Sequence, residues 1–355
     1  MGQTLSEPVT TKESATVENS VWKVGSSSMQ GWRVSMEDSH THILSLPDDP
    51  GTCFFGVYDG HGGCKISQHV GKHLHKYIIQ QEEYLRGNIE EAIRLGFLEM
   101  DRIMSHDMAL KEDSSGTTAV VVIVKDGRLF CGNVGDSRAV ASLRGMAEDL
   151  SMDHKPTGEK ELTRIVAAGG YVEYSRVNGN LALSRALGDY GYKQNVLKSP
   201  EEQVVTANPD VEVRQLTNDY EFVLIACDGI WDVLSSQDAI DFVRQRIAQG
   251  LEPEAICEAL LEHCLAPDLS FGGLGCDNMT VILAVYVNGR PYEDVLCVPV
   301  KLALLRTIDD ALPSNDMTES TASITSAGFT TPAEADSSKP RMESSVDQKD
   351  RVEKA

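Results

Sequence analysis

Two apolar runs that stop on the same dipeptide constrain this chain more than any other feature. The first, Phe54-Phe55-Gly56-Val57-Tyr58, breaks at Asp59-Gly60 and is followed at once by His61-Gly62-Gly63. The second, Phe222-Val223-Leu224-Ile225-Ala226-Cys227, breaks at Asp228-Gly229. Short apolar runs bounded by turn residues have the pattern of buried strands. Each aspartate then sits at a strand's mouth, where water and ligands reach it. Glycines beside it let the backbone turn tightly and approach a bound group. An Asp-Gly pair is also the commonest short hairpin signal, so one such strand end says little. Two of them point to a site.

With 355 residues, 41% of them apolar, the chain can bury a large core. Length alone suggests two domains, although one large domain reaches this size. The formal net charge of −22 argues against nucleic acid as a partner, because phosphate backbones attract basic surfaces. If the substrate is itself anionic, a bound cation is the most direct way to reverse the local field. None of the eight cysteines forms a Cys-x-x-Cys pair, which disfavours a zinc site. There is no signal peptide and no apolar run of bilayer length, so the expected address is the cytoplasm, with the nucleus as a second compartment.

Met1-Gly2-Gln3-Thr4-Leu5-Ser6 fits the N-myristoylation pattern, with Gly2 as acceptor. A lone acyl chain binds membranes with a constant of about 10⁴ M⁻¹, so any attachment is expected to be weak and reversible. Residues 1–20 read as a flexible polar arm. Arg33, followed by Glu37 and Asp38, is ordinary surface chemistry when taken alone. Helices are expected over residues 64–80, 88–108, 158–168, 236–249 and 253–265 from three- and four-residue apolar spacing. His69 and His73 lack a His-Glu-x-x-His arrangement and read as helix-surface histidines. Residues 117–143 read as an antiparallel meander with Asp136 exposed at a glycine break. Residues 176–189 have no clear period and read as a long irregular excursion, of the kind that often carries function.

Asp59 and Asp228 end apolar strands, whereas Asp277 precedes one. In an antiparallel sheet the start of one strand lies beside the end of its neighbour, so all three carboxylates can meet at one edge. Asp232, one helical turn past Asp228, and Asp136 can reach the same rim. Two bare carboxylates 4 Å apart repel by about 4 kcal/mol at an effective dielectric near 20. Such a cluster needs protons or hard cations, and all-oxygen ligation suits Mg²⁺ or Mn²⁺. The arrangement is that of a two-metal hydrolase.

Eight segments now stand in order along residues 22–287. They are Gly31-Trp32-Arg33 with Met36-Glu37-Asp38, Asp59-Gly60-His61-Gly62-Gly63, Ser115-Gly116-Thr117-Thr118-Ala119, and Gly135-Asp136-Ser137-Arg138. His154-Lys155-Pro156, Arg176-Val177-Asn178-Gly179, Cys227-Asp228-Gly229-Ile230-Trp231-Asp232 and Cys276-Asp277-Asn278-Met279-Thr280 complete them. Together they resemble the metal-dependent type-2C protein serine/threonine phosphatases. The resemblance implies an α+β fold, two antiparallel sheets packed as a sandwich with helices on both outer faces. It implies that Asp59, the Gly60 carbonyl, Asp228 and Asp277 hold two metal ions, with Glu37 and Asp38 acting largely through metal-bound water. Asp136 and Asp232 resemble the ligands of a weaker third metal. Arg33 would grip the substrate phosphate, and His61 would protonate the leaving seryl or threonyl oxygen. The reaction so implied is in-line attack by a metal-bridging hydroxide on phosphoprotein substrates, with no phosphoenzyme, by an enzyme expected to be a monomer.

The catalytic domain is expected over residues 21–290, with a short, partly apolar extension at 291–312 and a disordered tail at 313–355. That extension does not clearly repeat the helical one of the mammalian members. A catalytically inactive scaffold on the same fold would show gaps among the metal carboxylates, and none is found. The acidic composition disfavours a metal-dependent nuclease or phosphodiesterase.

Overall fold

Alternation along four strands sorts the apolar side chains onto opposite faces, and that sorting builds the layers. In the strand Cys53–Tyr58, Phe55 and Val57 face one way while Phe54 and Tyr58 face the other. Ala119–Lys125 divides Val120 and Val122 from Val121 and Ile123 in the same manner. Val223 and Ile225 of Tyr220–Ala226, with Ile282 and Ala284 of Met279–Tyr286, meet Phe55, Val57 and Val120 in a core between two sheets. Period-2 patterning with both faces apolar is what a sandwich covered on its outer sides requires.

The computed structural model describes residues 4–269 and 273–296. Contacts divide the chain into one unit over residues 1–309 and another over residues 310–355. All described residues belong to the first. The expected disordered tail and most of the extension at 291–312 lie outside the described residues, as does Gly2. One sheet has six strands in the order Thr4–Glu18, Trp22–Arg33, Met279–Tyr286, Tyr220–Ala226, Arg138–Leu143, Met146–Asp149. The other has five, ordered Asp210–Gln215, Arg128–Val134, Ala119–Lys125, Cys53–Tyr58, Ser39–Ile43. Every neighbouring pair in both sheets is antiparallel. Helices Lys65–Ile79 and Ile89–Met104 cover the five-stranded sheet through Val70, Leu74, Ile93 and Phe97. Helices Ser236–Ala248 and Pro253–Cys264 cover the six-stranded sheet through Ile240, Val243, Ile256 and Leu260. The layer order is therefore helix, sheet, sheet, helix, as the family resemblance implies.

Three expectations need correcting. Residues 119–134 form the expected hairpin, but Arg138–Leu143 belongs to the other sheet, so residues 117–143 are not one meander. The break at Gly135-Asp136-Ser137 is where the chain crosses the sandwich, with Gly135 at φ +104. Strand alternation is the same on either side of that break and does not reveal the change of sheet. For the same reason Asp59 and the pair Asp228 and Asp277 do not share one sheet's edge. They approach one another across the end of the sandwich.

The third correction concerns the N-terminus. Thr4–Glu18 is not a free arm but an edge strand on Trp22–Arg33. Its polar side chains are fastened to helix Pro253–Cys264: Lys12 to Glu262 at 2.8 Å, Ser14 to Glu258 at 2.7 Å and Thr16 to Glu254 at 2.6 Å. Alternate strand residues thus meet glutamates spaced four apart on one helix face. Polar composition hid this strand because its anchoring is polar.

The same helix approaches Gly25 so closely that a Cβ there would lie 2.3 Å from the Glu254 nitrogen and the Pro253 carbonyl carbon. Gly25→Ala is expected to destabilise the fold by about 1–3 kcal/mol, because backbone rather than a flexible side chain must move. A denaturant midpoint unchanged from the parent would contradict this packing.

Candidate active site

The segments that carry the carboxylates at the end of the sandwich are positioned by contacts that the surrounding sequence supplies. The Asp59 carbonyl accepts the Thr118 N–H at 2.9 Å and the Thr117 hydroxyl at 3.0 Å. The Asp59 N–H donates to Thr118 Oγ1 at 3.1 Å, and that oxygen lies 2.7 Å from Ser137 Oγ. One Thr-Thr pair thereby ties the end of the first apolar strand to the Asp136 break. His154 pins the same break from the other side. Its Nδ1 accepts the Gly135 N–H at 3.2 Å, which leaves the proton on Nε2 to be donated to Asp210 Oδ2 at 3.2 Å. Lys155 reaches Asp136 Oδ2 at 2.5 Å.

Asp228 opens the helical turn Asp228–Trp231, which the Trp231 indole anchors by donating to the Ala226 carbonyl at 2.8 Å. Beside it, a Cβ on Gly229 would lie 2.2 Å from the Asn278 carbonyl. Only glycine lets these two segments meet. Asn278 in turn suspends the loop that carries Arg33, Glu37 and Asp38. Its Nδ2 donates to the Gln30 and Ser35 carbonyls at 2.8 and 3.0 Å, and its Oδ1 accepts the Glu37 N–H at 2.9 Å. Glu37 also accepts the Gly63 N–H at 3.0 Å. A Cβ on Gly60 would lie 2.2 Å from the Glu37 carbonyl. Arg33 pairs with Asp277.

One oxygen each of Asp59, Asp136 and Asp228 lie within 4.8 Å of one another, and Asp38, Asp59 and the Cys227 sulfur form a second such group. Asp277 does not belong to either trio, and Asp232 stands on the exposed rim. The His69 and His73 rings lie tilted against each other with centroids 4.6 Å apart and join neither group. Burial, reinforced by the charges of neighbouring aspartates, raises the Asp59 and Asp228 carboxyls well above their ordinary range. Asp38 is pushed up to about 7 by burial, against a 2.7 Å hydrogen bond from Thr280. Burial also raises Asp136 and Asp277, and partial desolvation raises Asp232 at its rim, against Lys155 for Asp136 and Asp232 and Arg33 for Asp277. Asp38 Oδ1 and Asp228 Oδ1 are buried with no hydrogen-bond partner among the described residues. Hard oxygen donors, crowded, desolvated and partly unpaired, fit a divalent cation. Burial drives the Cys227 thiol well above its ordinary value, so it does not offer a thiolate.

His61 has a partner that sequence spacing did not suggest. Its Nε2 lies 2.7 Å from Asp189 Oδ2, a side chain only 4% exposed. Asp189 occupies the left-handed region at φ +51 and ends the irregular excursion. The preceding Gly188 N–H donates to Asp101 at 2.8 Å, and Lys193 holds the other Asp101 oxygen at 2.7 Å. Burial opposes the imidazolium, but the Asp189 carboxylate outweighs it and raises the His61 pKa. The only available signal was an aspartate closing a Gly-rich excursion, and nothing in its spacing led to His61.

A family model described as protein phosphatase 2C matches residues 22–270. The chain belongs to that family. It is 60% identical over 290 residues to a Caenorhabditis elegans chain described as a probable protein phosphatase 2C, covering 82% of each. It is 46% identical to protein phosphatase 2C homolog 2 of Schizosaccharomyces pombe, covering 83% of this chain and 81% of that one. The fold matches a crystal structure of serine-threonine phosphatase 2C from Toxoplasma gondii with a TM-score of 0.66. Identity there is 22%, and the match covers 81% of this chain and 100% of the other. The chain is thus a protein serine/threonine phosphatase of a metal-dependent family, acting on phosphoproteins.

Proposed function

We propose that the convergent carboxylates hold two Mg²⁺ or Mn²⁺ ions, and a third more weakly. The phosphatase then hydrolyses phosphoserine and phosphothreonine by direct in-line attack of water, without a phosphoenzyme. The observation that supports this best is the trio of Asp59, Asp136 and Asp228 oxygens within 4.8 Å, carried by both sheets. When bound, the cations supply charge compensation and make hydroxide available near neutral pH. Asp59, Asp228, Asp38 and Asp136, with Asp277, Glu37, Asp232 and the Gly60 carbonyl around them, are the oxygen donors that would hold the ions.

Arg33 binds the phosphate of the substrate, for which its planar fork is suited, and exchanges its pairing with Asp277 to do so. His61 delivers the proton to the leaving oxygen. With Nε2 held by Asp189, Nδ1 is the ring nitrogen free for that transfer. No carboxylate gap of the sort an inactive scaffold would carry is found among these positions.

Phosphopeptide turnover is expected to fall to background in excess EDTA and to return on adding Mg²⁺ or Mn²⁺. Full activity under chelation would remove the metal role. In acid-quenched single turnovers with labelled phosphopeptide, no label should remain on the protein. A stoichiometric burst of protein-bound phosphate would exclude direct attack. The same reading makes the enzyme a cytoplasmic and nuclear monomer with Gly2 as a myristoyl acceptor. The mass of the N-terminal peptide from expressing cells, unmodified, would remove the acyl group.

A further inference from the structure

A cleft of about 430 Å³ lies against helix Ile89–Met104, one hydrogen bond behind the Gly188-Asp189 turn. Its volume falls in the range of small-molecule sites. Leu98, Tyr190 and Pro200 give it an apolar lining. Around them stand Arg102, Lys111, Lys193 and Lys198, against a single carboxylate, Asp101. On a chain of net charge −22 the lining of this cleft holds more cations than carboxylates. Three of the cations are already engaged: Arg102 with Glu99, Lys193 with Asp101 and Lys198 with Glu202. Lys111 has no ion-pair partner among the described residues and stands exposed at the end of Met108–Lys111.

We propose that this cleft is an accessory site for a small organic anion with an apolar body, and that its occupancy is felt at His61. The anion pairs with Lys111 and draws on Lys193, while its apolar part covers Leu98 and Pro200. Lys193 is the link to the active site. It bonds Asp101 at 2.7 Å and the Ala186 carbonyl at 2.9 Å, and Asp101 fixes the Gly188 N–H at 2.8 Å. The next residue, Asp189, holds His61 at 2.7 Å. A charge that competes with Asp101 for Lys193 therefore loosens the turn that orients the imidazole. A half-open cleft of this size suits a small molecule better than a polypeptide, which needs a longer surface. The coupling rests on the observed hydrogen bonds together with the reading of His61 as the proton donor. The binding does not.

The test uses the full chain with saturating Mg²⁺ and no phosphopeptide, so that no turnover occurs, with 8-anilinonaphthalene-1-sulfonate as probe. Its uncharged relative N-phenyl-1-naphthylamine serves as control. Expected are saturable one-site binding of the sulfonate and at least about tenfold weaker binding in Lys111→Glu, with Lys111→Arg restoring it. The neutral probe should not compete. Saturation should also move the His61 ring signals in the NMR spectrum. Equal binding to the parent and Lys111→Glu, or displacement by a substrate phosphopeptide, would overturn the site. Displacement by a non-phosphorylated acidic peptide at the same concentration as small anions would overturn the small-molecule assignment. Binding with an unmoved His61 signal would overturn the coupling.

Discussion

Replacing Asp228 with asparagine is expected to abolish phosphopeptide turnover while raising the melting temperature of the metal-free enzyme. Asp228 is desolvated, faces the charges of Asp136, Asp277 and Asp232, and keeps one buried oxygen without a partner. Two carboxylates about 4 Å apart repel by about 4 kcal/mol at an effective dielectric near 20. An amide of the same shape removes that repulsion, and recovery of even about 1–2 kcal/mol shifts the melting temperature by several degrees in a domain of this size. Metal affinity should fall by about 100-fold or more, since a liganding carboxylate is lost outright. The pH dependence follows from the direction of the shifts. A carboxyl raised on folding adds stability that is complete below its unfolded pKa and is lost as pH rises through the folded one. With Asp38 pushed up to about 7 and Asp59 and Asp228 raised well above their ordinary range, the metal-free protein should lose stability as pH rises from about 4 through 7. Saturating Mg²⁺ should flatten that fall, and the gain from Asp228→Asn should be larger at pH 8 than at pH 5. Calorimetry with and without EDTA decides it. A metal-free variant that melts below the parent at pH 8 would mean that the aspartates do not strain one another.

The strands and helices of this fold were legible because strand alternation and helical spacing are local, whereas their stacking in layers came from the family resemblance. Phe54 and Phe55 already point to opposite faces in any extended strand, and the four long helices follow from periodic apolar residues. Which sheet each strand joins is not local. Gly135 marks a break, but only the strand pairing of Ala139 with Ile225 and Ala141 with Val223 shows that the chain has crossed to the other sheet. Asp59, Asp228 and Asp277 were readable from their places at strand ends, whereas Glu37 and Asp38 entered only through the family resemblance. Asp189 was not readable, because its role depends on a turn held by Asp101 from far along the chain, itself paired with the neighbouring Lys193. The N-terminal strand escaped notice for a different reason. Its fastening to Glu254, Glu258 and Glu262 is a match of polar partners, which composition reports as solubility.

Removing the His61 imidazole should separate the chemistry of proton delivery from that of metal binding. His61→Ala is expected to lower kcat toward phosphoserine peptides by about 10²–10⁴-fold, the usual contribution of a positioned acid. Metal affinity should stay within about twofold, because neither ring nitrogen is committed to the carboxylate cluster and Nε2 is committed to Asp189. A serine alkoxide leaves poorly without a proton, whereas a nitrophenolate leaves readily. The same variant should therefore lose far less activity toward p-nitrophenyl phosphate. Asp189 acts through the histidine, so its substitution needs a readout that a structural defect would not mimic. The carboxylate raises the His61 pKa, so the acid form persists to higher pH than an ordinary imidazole allows. Asp189→Asn should move the alkaline limb of the kcat profile downward while leaving KM and metal affinity nearly unchanged. Should His61→Ala lose nitrophenyl phosphate and phosphoserine turnover equally, the proton would have to come from elsewhere. Should Asp189→Asn lower the plateau without moving the limb, the 2.7 Å contact would be structural and not a means of keeping the acid charged.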